Sequence, residues 1–168
     1  MAYLSFLMSR TGIIKLLETI VGIITLALVV HYGLQVVQYS DILPASTFLL
    51  AVVSAGLLIS FIELVTFFYD DETRYGVRRS LFEVFFCFAA TALWLAAACT
   101  MAYFVHTRAY EHYKSTNQQF DIYPGLIGAT IFAFIGALLY LIDSIFAYSD
   151  MKGTVTGGPR YLESVVYK

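Results

Sequence analysis

The chain has 168 residues, 60% of them hydrophobic, 17% aromatic and only 13% charged, with a formal net charge of −2. Its mean hydropathy of +0.76 belongs to a membrane protein and excludes an ordinary soluble globular domain. Between charged residues lie four long gaps, Thr19–Ser40, Ile42–Ile62, Val84–Thr107 and Ile122–Ile142, of 22, 21, 24 and 21 residues. Each is long enough to cross the ~30 Å hydrocarbon core as a helix, and together they leave no room for a separate soluble domain.

In chain order, the opening stretch MAYLSFLMSR lacks a basic start and a small-residue cleavage site, so it reads as a lead rather than a signal peptide. No myristoyl or prenyl motif is present. Helices are predicted at about 12–36, 45–68, 82–105 and 124–148, with Pro44 and Pro124 at helix starts, where a missing N–H is tolerated. The segment 37–43 is a brief outer turn, and Asp70–Arg79 is a loop, acidic first and basic second. Ser80 and Glu83 have capping-box spacing ahead of the third helix. The polar and aromatic stretch 106–120 is the larger outer loop. Residues 1–150 thus form one four-span domain, and 151–168, with Gly153, Gly157, Gly158 and Pro159, form a flexible tail.

Arg10, Lys15, Arg74, Arg78, Arg79, Lys152, Arg160 and Lys168 fall on one side of this four-span arrangement, against Arg108 and Lys114 on the other. The excess places both termini and the middle loop in the cytoplasm. Tyr32, Tyr39, Tyr103 and Tyr123 mark the outer interface and Tyr69 and Tyr148 the inner one.

One segment occurs twice. Asp41–Asp70 reads DILPASTFLLAVVSAGLLISFIELVTFFYD, and Asp121–Asp150 reads DIYPGLIGATIFAFIGALLYLIDSIFAYSD. At this fixed offset Pro44 matches Pro124, Gly56 matches Gly136, and Glu63 matches Asp143. Chance explains the apolar matches but poorly explains prolines and acids in register. The echo predicts two hairpins related by a rough two-fold axis along the membrane normal.

Four carboxylates lie near the cytoplasmic boundary: Glu18, Glu63, Glu83 and Asp143. Ionisable groups at that depth are costly and are functional candidates. Glu83 has a structural account as a capping residue, and Glu18 lies one turn from Lys15 on the same face. Glu63 and Asp143 have no basic residue within a turn, so they need water, protonation or a cation from another helix. Lys15, Arg78 and Arg79 are available. An interhelical polar clamp of Lys15, Glu18, Glu63 and Asp143 outweighs a conduction path, because the outer halves of the helices offer few polar residues besides His31. Small residues recurring every fourth position, Gly125, Ala129, Ala133 and Ala137, predict a packing stripe on helix four. Ala92, Ala96 and Thr100 on helix three, and the pairs Ala51 with Ala55 and Gly56 with Ser60 on helix two, suggest similar stripes.

Cys87 and Cys99 cannot bridge along one helix. Cys87 is a buried small hydrophobe, with palmitoylation as the lesser reading. His106, Glu111 and His112 read as a solvated loop rather than a metal site. No catalytic, cofactor or metal motif is present, so no enzyme and no cofactor are expected.

The opening of helix one, Gly12-Ile-Ile-Lys15-Leu-Leu-Glu18-Thr-Ile-Val-Gly22-Ile-Ile, resembles the MARVEL domain of vesicle-trafficking and junctional tetraspans. Trp94-Leu-Ala-Ala-Ala on helix three and Leu139-Tyr140-Leu-Ile-Asp143 on helix four are similar as well. The resemblance runs from about Arg10 to Tyr148 and is closest to compact members such as plasmolipin and the chemokine-like-factor group. It implies an all-α four-helix bundle with cytoplasmic termini. It also implies a non-enzymatic organiser or accessory subunit working in traffic, membrane apposition or escort. Implied partners are membrane lipids, including cholesterol, and another integral membrane protein or a second copy; no nucleic acid is expected. Plasma membrane or secretory and endosomal vesicles would be its location. The competing reading is a small channel or proton-coupled transporter built on Glu63 and Asp143.

Overall fold

In the computed structural model, residues 9–33, 35, 42–69, 76–78, 80–115 and 122–156 are described. Helices long and apolar enough to span a membrane are α1 (Arg10–Gly33), α2 (Leu43–Tyr69), α3 (Leu81–Ser115) and α4 (Ile122–Thr156). No strand occurs among the described residues.

The starts follow from local chemistry. Ser9 is extended, and its Oγ accepts from the Gly12 N–H at 3.1 Å, which satisfies one unpaired donor of the first turn of α1. Ser80 caps α3 by accepting from the Glu83 N–H at 3.3 Å. The reciprocal half of the expected capping box is replaced: the Ser80 N–H donates to the Val77 carbonyl at 2.9 Å. Pro44 and Pro124 both fall in first turns, where no intrahelical bond is lost.

Two ends differ from the sequence-based bounds. Helix α3 does not stop near 105 but passes through a π-helical turn, Val105–Ala109, and continues as Tyr110–Ser115. No Gly or Pro lies between Leu81 and Ser115 to stop it, and Val105 and Ala109 are buried. Much of the expected outer loop is therefore helix; residues 116–120 lie outside the described residues. Helix α4 likewise runs past 148 to Thr156, into the stretch expected as a flexible tail. Arg79, Asp41, Asp70, Asp121, the turn at 37–41 and the tail at 157–168 also fall outside the described residues.

Helix α1 packs on α2 and α4, and α3 packs on the same two, most extensively on α4. Helices α2 and α4 therefore face each other across a diagonal. Trp94 of α3, 1% exposed, lies between them. A Cβ on Gly56 would come within 2.7 Å of Trp94 Nε1, and one on Gly136 would collide with the six-membered ring at the far end of the indole. Only glycine on each diagonal helix admits the ring.

Burial follows the same offset as the sequence. Ala45, Leu49, Val53, Gly56 and Ser60 are buried on α2, and their counterparts Gly125, Ala129, Ala133, Gly136 and Tyr140 are buried on α4. Gly125, Ala129, Ala133 and Ala137 all face inward. Of the stripes suggested for the other helices, Gly56 and Ser60 on α2 face inward, while the alanine stripes are corrected. Ala92, Ala96, Ala51 and Ala55 face outward, whereas Ala90, Ala97, Ala98 and Met101 are buried on the Trp94 face. The indole sets the rotation of α3, because residues three, four and seven positions from Trp94 share its side. Outward-facing Ile23, Leu58, Phe61, Phe85, Phe88 and Leu138 give the bundle an apolar exterior.

Candidate functional site

At the end of the bundle shared by Arg10, Arg78 and Asp150, a buried ionic cluster joins all four helices. Lys15 and Glu18 project from the same face of α1, one turn apart. The Lys15 side chain is fully buried, and its Nζ sits 2.6 Å from Glu63 of α2, 2.8 Å from Asp143 of α4, 3.3 Å from Glu18 and 3.6 Å from Glu83 of α3. One ammonium thus touches a carboxylate from every helix. The side chains of Glu18, Glu83 and Asp143 are fully buried, and that of Glu63 is 13% exposed.

Arg78, from the turn preceding α3, supplies the second cation. Its Nη1 donates to Asp143 Oδ1 at 2.6 Å and to Glu83 Oε1 at 3.4 Å, while Nε lies 3.7 Å from the half-exposed Asp150. Burial alone would lower the pKa of Arg78; Asp143, Glu83 and Asp150 outweigh it and raise the value, so the guanidinium stays charged. The loop side chain is in effect a stopper on the cluster.

Sequence reasoning assigned Glu83 to capping. Its backbone N–H is indeed capped, but its carboxylate turns into the cluster. Cys87, one turn further along α3, is also part of the cluster: its Sγ is 3.4 Å from Asp143 Oδ2 and 3.8 Å from Glu83 Oε1. Fully buried there, it faces no lipid. Glu83, Cys87 and Asp143 bring potential ligand atoms within 4.8 Å of one another. Lys15 and Arg78 already occupy these carboxylates, so the charge a metal ion would supply is present as side chains. His106 and Glu111 are exposed and His112 half-buried, and they do not gather into a ligand set.

From the cluster a short polar chain enters the core. Ser60 Oγ is 3.2 Å from Glu18 Oε2 and 2.7 Å from the Tyr140 hydroxyl, and the Tyr140 hydroxyl donates to the Gly56 carbonyl at 3.1 Å. Ser60 and Tyr140 are another offset-matched pair, 80 positions apart. Sequence reasoning missed this link because the two residue types differ, although the repeat had already aligned them. Beyond Trp94 the core is apolar, built of Leu49, Val53, Ala97, Ala98, Met101 and Leu126. The hydroxyls of Thr25 and Thr130 there bond back to carbonyls of their own helices. Nothing in this arrangement offers an activated nucleophile; it offers cohesion between helices.

The chain matches the family model of MARVEL, the membrane-associating domain, over residues 6–146. Protein singles bar of Drosophila melanogaster is 23% identical over 149 residues, covering 88% of this chain and 82% of that protein. No solved structure gives a significant match.

Proposed function

The chain belongs to the MARVEL family of membrane-associating domains, and from that premise we propose that it is a non-enzymatic organiser or accessory subunit of membranes. It acts in vesicle trafficking, in membrane apposition at junctions, or in escorting another integral membrane protein. Its partners are lipids, cholesterol among them, and an integral membrane protein or a second copy of itself. Plasma membrane or secretory and endosomal vesicles are its site, with both termini in the cytoplasm as the basic residues direct.

The observation that carries this reading is the inward use of the charged groups. Lys15 reaches a carboxylate on every helix, so the polar side chains of the spans are spent on holding the bundle together. The surface left for partners is the apolar exterior and the outer end of α3 beyond Val105. An organiser needs such a rigid body with an outward-facing surface.

Cross-linking the full-length protein in native membranes and identifying what co-purifies tests the proposal. Reproducible recovery of one integral membrane protein supports it. A pH-dependent current in reconstituted vesicles, abolished by Glu63→Gln or Asp143→Asn, would replace it with the transporter reading. The apolar layer beyond Trp94 weighs against that outcome.

A further inference from the structure

We propose that Glu18 is a proton-binding site, held as a neutral carboxylic acid that donates into the chain Glu18–Ser60–Tyr140–Gly56 carbonyl. The argument is a count of hydrogens. Three contacts make up the chain: Glu18 Oε2 to Ser60 Oγ at 3.2 Å, Ser60 Oγ to the Tyr140 hydroxyl at 2.7 Å, and that hydroxyl to the Gly56 carbonyl at 3.1 Å. Each needs one proton. A serine and a tyrosine hydroxyl carry one each, and a backbone carbonyl only accepts. Tyr140 gives its proton to Gly56, so Ser60 must give its own to Tyr140. The remaining contact is then made by a proton on Glu18. All three contacts carry a proton only with an acid at the head; an ionised Glu18 would accept from Ser60 and leave one contact without a proton.

Charge points the same way, independently of the chain. The groups facing Glu18 are Lys15 of α1, Glu63 of α2, Glu83 and Cys87 of α3, and Tyr140 and Asp143 of α4, with Arg78 closing the cluster against Asp150. Two cations meet four buried or nearly buried carboxylates. Asp143 contacts both cations. Glu83 lies in the first turn of α3, where the helix dipole favours negative charge. Glu63 alone reaches solvent. Glu18 has only a share of Lys15, whose Nζ is 3.3 Å from its Oε2 but closer to Glu63 and Asp143, and its Oε1 has no donor. A buried carboxylate left with so small a share of a cation takes up a proton rather than stay charged.

The proton is structural currency between helices. With it, one directional chain joins α1 to α2 and α4. When Glu18 releases it to bulk water, Ser60 turns to donate to the carboxylate and Tyr140 to donate to Ser60. The Gly56 contact then loses its proton, and the cluster gains one uncompensated negative charge. The folded bundle therefore holds a proton that an exposed glutamate sheds, and its stability falls as pH rises.

The test uses the full-length chain in lipid nanodiscs at neutral pH, read by the infrared carbonyl band of a protonated carboxyl group. That band should be present in the native protein, lost in Glu18→Gln and retained in Glu63→Gln. Glu18→Gln, which keeps a neutral donor at the same place, should melt within a few degrees of the native protein and lose most of the pH dependence of melting. Tyr140→Phe leaves Glu18 and its contact with Lys15 intact and should shift the band. A band that persists in Glu18→Gln, or one that Tyr140→Phe leaves unmoved, overturns the proposal. So does a Glu18→Gln protein that melts as low as Asp143→Asn, since that loss would mean an ionised partner had been removed.

Discussion

Gly56 and Gly136, eighty positions apart, lie against opposite ends of the Trp94 indole. They occupy the same place in the two copies of the repeat, so the diagonal helices α2 and α4 close on α3 through one residue of each. This close packing rests on van der Waals contact, the main cohesion open to helices in lipid.

Substitution of Gly136 by alanine should therefore be costly. The added methyl meets the rigid six-membered ring, which has no flexible end to yield, and overpacking of this kind costs about 1–3 kcal/mol. Gly128→Ala is the control on the same helix, because its Cβ meets only Leu28 Cδ1 at an ordinary 3.6 Å. Thermal melting in detergent should fall clearly for the first and stay near the native value for the second. Equal melting of the two variants would mean that the ring moves aside freely.

Lys15→Met tests the centre of the ionic cluster. The variant removes the ammonium that touches Glu18, Glu63, Glu83 and Asp143, leaving Arg78 alone against them. Breaking a buried pair by deleting one partner costs roughly 3–5 kcal/mol. A markedly lower melting temperature is expected. Asp143→Asn should behave similarly, since it removes the nearer of the two carboxylates that both cations share. If Lys15→Met melts like the native chain, the cluster does not hold the helices together.

How much of this was legible beforehand varies with the physics. Span number came from uninterrupted apolar length, which the bilayer enforces directly. The packed face of α4 came from its small residues at every fourth position. The same rule misplaced the packed face of α3, because Ala is abundant all around that helix and Trp94, a single large side chain, decides the rotation. Arg78 was visible as a cation within reach, but its role as a bridge between Glu83 and Asp143 depends on how the turn folds back. The carboxylate of Glu83 was hidden behind an adequate local explanation. The polar composition at the end of α3 reads as a loop, whereas no Gly or Pro stops the helix there, and Val105 and Ala109 are buried with Tyr113 half-buried beyond them.

The two cysteines make an inexpensive probe of the cluster. Cys99 is exposed on α3, whereas Cys87 is buried against Asp143. A membrane-permeant alkylating reagent should modify Cys99 alone in the folded protein. Modification of Cys87 should appear only on unfolding, or in Asp143→Asn if that variant loosens the inner end. Palmitate recovered on Cys87 of the native protein would contradict the buried position.

The rotation of α3 can be tested with adjacent alanines. Ala97 is fully buried on the side of Trp94, while Ala96 is exposed on the apolar exterior. Ala97→Leu must force three extra carbons into the buried core that Ala97 shares with Trp94 and Met101, and should cost about 1–3 kcal/mol. Ala96→Leu places the same carbons in lipid, which solvates leucine as well as the core does, so melting should be unchanged. The two substitutions are identical in chemistry, propensity and depth, and differ by one step of about 100° around the helix. A reversal of the two outcomes would turn α3 about its axis. It would take Trp94 out of the cleft between Gly56 and Gly136, and with it the packing argument that links the repeat to the fold.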